Sequence, residues 1–297
     1  MTTRALGAVS VSIRRVQDST VREQLLGARR RLIRAGIARA ALDAEVLLAH
    51  VLKRPREWLW AHDDRPLTAT QTHRFRHLLA QRSRRVPVAY LTGVKEFFGE
   101  PIRVNRSVLV PRPDTEILVE AGLRFLQDRP GARDVIDLGT GSGAIAIAVS
   151  RHCSRARVQA LDNDDLALKV ARANVRARRM SGRVQVRRSD LFHRARPADL
   201  VLSNLPYLSE AARRRLPEDV RHEPKRALNG GTDGLRLIRR ALADAPRMLR
   251  SGGAMVIECD PRQARSVVRL ARSTFPGATI GVLADLSRRS RAVEVRL

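Results

Sequence analysis

Val135-Ile136-Asp137-Leu138-Gly139-Thr140-Gly141-Ser142-Gly143-Ala144 is the stretch that decides how this chain folds. A short apolar run reads as a buried strand, three alternate glycines make a tight turn, and Ala144 to Val149 opens an apolar helix. Glycine at these positions lets the backbone turn sharply and approach a ligand where a Cβ would collide. The same texture continues outward, with strands read at 135–138, 158–161, 184–186, 200–203, 254–258, 279–283 and 292–295. Helical patterns lie near 144–151, 165–179, 209–215, 234–250 and 261–273. That alternation predicts an α/β fold around a mostly parallel, doubly wound sheet, with ligands at the carboxyl ends of the strands. The final two strands have only a short connection, so the last strand is expected to be antiparallel.

Upstream the texture is different. Thr20 with Glu23, and Thr68 with Gln71, have the spacing of helix-capping boxes. Val21, Leu25, Leu32 and Ile33 suggest one apolar face, which Gly36 ends. Residues 1–86 are therefore read as a small all-helical domain. Between 87 and 113, glycines and prolines punctuate the short runs Glu96-Phe97-Phe98 and Ile102-Arg103-Val104, which predicts a β-hairpin linker. Asp114 sits where a helix N-cap belongs, and 114–297 forms the larger α/β domain.

The chain has 297 residues, 43% of them hydrophobic, enough for two domains with real cores. Lys and Arg total 57 against 30 Asp and Glu, and Lys occurs only at 53, 95, 169 and 225. A field of +27 attracts RNA, ribosomes or any acidic partner, but a codon preference for Arg produces the same count. Charge alone names no partner. Cys153 and Cys259 form neither a disulfide framework nor a zinc site, and the seven His are scattered without ligand spacing, so no metal is expected. No apolar run reaches the roughly 18 residues of a membrane span, and Met1 to Arg15 lacks the apolar stretch of a signal peptide. The chain is read as a cytoplasmic monomer.

The glycine turn has two functional readings. It fits the loop that holds S-adenosylmethionine (SAM), and through Gly139, Gly141 and Ala144 it also satisfies the looser dinucleotide pattern of nicotinamide enzymes. Asp162, ending the next strand, binds a ribose diol in either case. The second loop favours SAM. Ser203-Asn204-Leu205-Pro206-Tyr207 follows a strand, so Asn204 falls at about the height of the glycine turn. A planar amide or exocyclic amine nitrogen is a weak nucleophile because its lone pair is delocalised. Two acceptors, the Asn204 side-chain oxygen and the carbonyl of Leu205, hold its hydrogens and aim that lone pair, while Tyr207 stacks on the planar group.

The chain closely resembles the PrmC/HemK family of protein-(glutamine-N5) methyltransferases. The resemblance rests on Asp43-Ala44-Glu45, Pro87 to Gly93, Glu96-Phe97-Phe98-Gly99, Val110-Pro111-Arg112-Pro113-Asp114-Thr115-Glu116, the glycine loop, Ser189-Asp190-Leu191-Phe192 and Glu223-Pro224 to Gly234. It implies a Rossmann-like SAM-dependent methyltransferase fold whose N-terminal helical domain recognises a protein partner. It also implies that Gly139, Thr140, Gly141, Ser142, Gly143, Asp162, Leu191 and Asn204 contact SAM. Asn204, Leu205, Pro206 and Tyr207, with Phe97 and Arg112 nearby, then meet the glutamine of a release factor's Gly-Gly-Gln tip; Asn204, Leu205 and Tyr207 carry the catalysis. Nucleic acid is the rival partner, through adenine-N6 methylation, and a non-catalytic release-factor or ribosome binder is the third reading.

Three residues depart from the family pattern. Leu205 replaces the first proline of Asn-Pro-Pro-Tyr, which predicts a reduced rate that Leu205→Pro raises. Asp260 and Arg288 stand where glycines are usual, and either is strained if its φ is positive. Both are expected to lie outside the chemistry.

Overall fold

A computed structural model describes residues 19–285 and 287–297. The reading of Met1 to Arg15 lies outside the described residues. The chain forms two compact units, up to Leu91 and from Thr92 onward.

The first unit is built from α1 (Val21–Arg34), α2 (Ala40–Leu52), α3 (Arg56–Ala61) and α4 (Ala69–Ser83), followed by the short α5 (Val88–Thr92) at the boundary. Both capping boxes are made. The Thr20 hydroxyl accepts from the Glu23 N–H at 3.2 Å and the Glu23 carboxylate accepts from the Thr20 N–H at 3.0 Å. Thr68 and Gln71 repeat the exchange at the start of α4. Val21, Leu32, Leu47, Leu48, Leu59 and Phe75 are fully buried in one cluster. Ile33 departs from its expected place on that face and is 54% exposed, because it is rotated about 100° from Leu32 around the helix. Inside this core Asp43 meets Arg82 at 2.7 Å, and Arg82 also donates to the Val86 carbonyl. Such a buried pair is satisfied only as a pair, since removing either partner strands a charge.

The second unit opens with a hairpin of β1 (Val94–Phe97) and β2 (Glu100–Arg103), turned by Phe98 and Gly99, both at positive φ. The expected linker of 87–113 is thus divided between a helical turn and a hairpin that belongs to the larger unit. Asp114 is not a helix cap. Pro113 starts a tight 3-10 turn through Thr115, α6 (Glu116–Asp128) follows directly with no side-chain cap, and the Asp114 carboxylate pairs with Arg291 at 2.7 Å.

The sheet contains β3 (Asp134–Leu138), β4 (Arg157–Asp162), β5 (Val184–Arg188), β6 (Ala198–Ser203), β7 (Leu249–Glu258), β8 (Thr279–Ala284) and β9 (Ser290–Arg296). Its spatial order is β5-β4-β3-β6-β7-β9-β8. The first five are parallel and β9 runs antiparallel to both its neighbours. The connecting helices are α7 (Ala144–His152), α8 (Asp165–Ala177), the short α9 (Glu210–Arg214), α10 (Arg236–Asp244) and α11 (Ala264–Thr274). α10 is shorter than the pattern at 234–250 suggests. Pro246 falls in a 3-10 turn that follows it, and β7 has already begun by Leu249. The order reverses between β3 and β6, which opens a crevice at their carboxyl ends.

Register places the functional residues. Leu138 pairs with Leu161 of β4 and with Ser203 of β6, and Ser203 pairs with Ile257 of β7. The next residue on each strand, Asp162, Gly139, Asn204 and Glu258, therefore lies in one row across four neighbouring strands.

Candidate active site

On one side of the crevice the glycine turn leaves β3. Gly139, Gly141 and Gly143 have φ of +79, +53 and +82°, the left-handed region that side chains resist. The Gly139 and Thr140 N–H groups donate to the Leu161 carbonyl at 2.9 and 2.8 Å, which ties the turn to β4. Beneath it Asp137 is fully buried and accepts from the Thr140 hydroxyl at 2.5 Å and the Ala146 N–H at 3.1 Å. Its other oxygen has no hydrogen-bond partner. Burial pushes this carboxyl up to about 7, against the lowering effect of its two donors.

That shift has a sign. Between the ordinary carboxylate range and about pH 7 the folded protein holds a proton that the unfolded chain has released, so Asp137 makes stability fall as pH rises through that window. Asp137→Asn is expected to flatten the change in unfolding free energy between about pH 5 and about pH 8, measured by urea denaturation. An unaltered slope would show that Asp137 is ionised throughout.

Asp162 accepts from the Gly141 N–H at 2.9 Å and the Asp164 N–H at 3.0 Å, and burial raises its pKa. Leu191 follows β5 at φ +47° and is buried. Two ion pairs flank this side, Arg226 with Asp164 at 2.5 Å and Arg240 with Asp190 at 2.8 Å.

On the other side stands the loop after β6. The Asn204 side-chain N–H donates to the Thr115 hydroxyl at 3.0 Å. The Tyr207 hydroxyl donates to Glu258 Oε1 at 2.9 Å, and the other oxygen of this buried carboxyl has no hydrogen-bond partner. Leu205 is 4% exposed and its side chain joins the main core, so near Gly139 that an added Cβ would lie 3.1 Å from Leu205 Cδ2. Glu223 is buried, accepting from the Val110 N–H at 3.1 Å and from the Arg112 guanidinium; burial raises its pKa although Arg112 opposes the shift.

A cavity of about 410 Å³ joins the two sides. Phe97, Arg112, Gly139, Thr140, Gly141, Ser142, Asp162, Leu191, Asn204, Leu205 and Pro206 all line it. Gly143 does not, because it serves as the N-cap of α7. Tyr207 does not either; its hydroxyl donates to Glu258. Thr115 lines the cavity and was legible only as part of the Pro-Arg-Pro-Asp-Thr-Glu string. Glu258 lies level with Asn204 and accepts from the tyrosine of the same loop. Asp260 takes no positive φ, whereas Arg288 does at +59° and carries strain of about 1–2 kcal/mol. Among the described residues no group of three or more His, Cys, Asp or Glu could hold a metal.

A glycine turn and an Asn-x-Pro-Tyr loop, level at the switch point of a doubly wound sheet, define a Rossmann-like methyltransferase. Residues 23–93 match the PrmC N-terminal domain family and residues 115–233 the methyltransferase small domain family. A release factor glutamine methyltransferase from Moorella thermoacetica is 39% identical over 92% of this chain and 96% of its own. Another from Bordetella pertussis is 42% identical over 78% of this chain and 86% of its own. The chain belongs to the release factor glutamine methyltransferase family. Among solved structures, the catalytic domain of hMettl16, in complex with a MAT2A 3′UTR hairpin, superposes with a TM-score of 0.52 at 16% identity, covering 77% of this chain and 82% of that one. A T. thermophilus 16S rRNA methyltransferase in complex with AdoMet and guanosine gives 0.50 at 18% identity, over 68% of this chain and 49% of that one. These two share the fold.

Proposed function

We propose that this protein methylates the side-chain amide nitrogen of the glutamine in the Gly-Gly-Gln motif of peptide chain release factors, using SAM, in the cytoplasm where those factors work. The observation that carries the reading is the shared cavity: Gly139 and Asn204 follow paired residues on adjacent parallel strands and line one space. No described helix is long and apolar enough to cross a membrane.

The residues present suit SAM. Gly139 and Gly141 leave room for close backbone approach, the Asp162 carboxylate at the end of β4 is an acceptor for a ribose diol, and Leu161, Ala167 and Leu191 give the cavity apolar wall. SAM supplies the methyl on a sulfonium. The protein's part is presentation. Asn204 Oδ1 and the Leu205 carbonyl are the acceptors for the two amide hydrogens, so the nitrogen lone pair, and not its hydrogens, faces the methyl. Phe97 and Pro206 exclude water around the planar group. The nitrogen gains a methyl and afterwards sheds one proton to water, and no strong base is required. Asp190 and Glu223 are held by Arg240 and Arg112 and are left as structural carboxylates.

Mass spectrometry of a release factor incubated with the protein and isotopically labelled SAM tests the reading. One methyl on the Gly-Gly-Gln glutamine is expected; label on RNA or DNA alone overturns it in favour of a nucleic-acid amine, and absence of label favours a non-catalytic binder. The same assay reads Leu205→Pro. No hydrogen bond from the Leu205 N–H exists among the described residues, so proline removes none. It also restores a fixed φ, and the rate is expected to rise severalfold. Stability falls by about 1–3 kcal/mol as the buried leucine side chain is lost. An unchanged or lower rate in folded Leu205→Pro refutes this account of Leu205.

A further inference from the structure

The antiparallel strand β9 reaches back to the cavity side of the sheet. It runs against β7, so its first residues lie at the carboxyl ends of the parallel strands. Ala292 pairs with Glu258, and the Arg291 carbonyl accepts from the Cys259 N–H at 2.9 Å, which puts Arg291 one residue above the row that contains Asn204. Its side chain is 11% exposed, and one terminal nitrogen makes two ion pairs, with Asp114 at 2.7 Å and with Asp285 at 3.2 Å. Nε of the same guanidinium is buried without a hydrogen-bond partner, so its position depends on those two carboxylates. Asp285 is fixed in the turn between β8 and β9. Its Oδ1 accepts from the Ser287 and Arg289 N–H groups at 2.9 and 3.0 Å, which leaves Oδ2 for the side chains of Arg289 and Arg291. Backbone donation, from Arg289 first, holds the Asp285 carboxyl below the usual carboxylate range; burial lowers the Arg291 pKa, but Asp114 and Asp285 outweigh it and raise it.

Asp114 is the middle residue of the 3-10 turn Pro113–Thr115, which the Thr115 N–H closes by donating to the Arg112 carbonyl at 3.1 Å. Thr115 is buried, and its hydroxyl accepts from the Asn204 side-chain N–H at 3.0 Å. With Nδ2 engaged there, Oδ1 is the end of the Asn204 amide left to accept from a substrate N–H.

Resting on the glutamine-methylation reading above, we propose that Arg291, held by Asp285 and paired with Asp114, tethers the turn that sets where Asn204 stands, and so positions the acceptor for the amide to be methylated. Arg291, Asp285 and Asp114 are positioning residues, and none of them lines the cavity. Asp114 is 43% exposed at its side chain, so its pair with Arg291 contributes little to stability. Its value is geometric, since a displacement of about 1 Å at a reacting group can cost about 100-fold in rate.

The test is release-factor methylation by Arg291→Met, Arg291→Lys, Asp114→Asn and Arg296→Met. Arg291→Met removes the charge, and kcat is expected to fall about 10- to 100-fold, with KM for release factor and SAM affinity within about threefold. Asp114→Asn breaks the same contact, so the double variant should be no slower than Arg291→Met alone. Arg291→Lys keeps a cation and is expected to stay within about threefold of wild type, because one nitrogen, not a fork, makes both contacts. Arg296→Met is the control at the other end of β9, where the lost arginine pairs with Glu294, and its kcat should also stay within about threefold. A folded Arg291→Met with wild-type kcat overturns the proposal. So does an Arg291→Lys as slow as the methionine variant, a double variant whose loss is the product of the single losses, or an equal loss in Arg296→Met. If wild type itself leaves the glutamine unmethylated, the functional reading fails and the tether is judged by NMR. The Asn204 side-chain amide resonances, assigned by their loss in Asn204→Asp, should move in Arg291→Met and Asp114→Asn and stay in place in Arg296→Met; resonances unmoved in Arg291→Met overturn the tether.

Discussion

Asn204→Ala is expected to lower methyl transfer about 10²- to 10³-fold while the affinity for SAM changes by less than about tenfold. The side chain stands at the end of β6, level with Gly139, and its loss removes one of the two acceptors that would orient the substrate nitrogen. It also leaves the Thr115 hydroxyl without its donor. Asn204→Asp is the informative companion. It keeps an oxygen facing the cavity but replaces the N–H that the Thr115 hydroxyl accepts with a second, charged acceptor. Its rate should therefore stay near that of the alanine variant. Single-turnover kinetics with saturating SAM separates the chemical step from cofactor binding. An Asn204→Ala enzyme within threefold of wild type would remove this residue from the catalytic machinery.

The second large effect is expected at Gly139. An alanine there must hold φ near +79°, at a cost of about 1–2 kcal/mol. Its methyl also meets Leu205 Cδ2 at 3.1 Å and the Asn204 carbonyl at 3.6 Å. Both contacts belong to the loop after β6, so one methyl group disturbs both sides of the cavity together. SAM binding by calorimetry should weaken by about 30-fold or more, with a lower melting temperature. Two controls make the explanation specific. Gly182 has open space around its Cβ position and no positive φ, so Gly182→Ala should bind SAM as wild type does. Trimming Leu205 to alanine should relieve the steric part, making the double variant less impaired than the sum of the single effects. Strict additivity would attribute the whole loss to backbone strain.

Much of this architecture could be read from particular residues. The run Val135 to Leu138 is apolar but for Asp137 because it is covered on both faces, and a strand of that kind leading into alternate glycines has few other readings. The height of Asn204 was legible too, since Ser203 ends an apolar strand and Pro206 cannot continue one. What escaped notice depended on which strands are neighbours. Glu258 is distant in sequence from Asn204, and nothing in its local pattern says that β7 lies beside β6 with Ile257 opposite Ser203. Thr115 was hidden for a different reason: the residues around it suggested a helix starting at Asp114, whereas Pro113 forces a 3-10 turn first. The ring of Tyr207 was legible as a planar surface, but the bond of its half-buried phenol to Glu258 was not, because it depends on β7 lying beside β6. Leu191 shows no sign in the sequence of its left-handed backbone, which is imposed by the turn out of β5.

The row formed by Asp162, Gly139, Asn204 and Glu258 makes the sheet a ruler. Each residue is the first beyond the row of paired residues Leu161, Leu138, Ser203 and Ile257, so its height is measured by counting peptide units up its own strand. Losing one residue from the interior of β6 would lower Asn204 by about 3.3 Å and turn its side chain to the opposite face, because strand side chains alternate. The connections at the far ends of the strands have no such count to keep. In this enzyme the number of residues in four strands is as much a part of the active site as the side chains that stand at their ends.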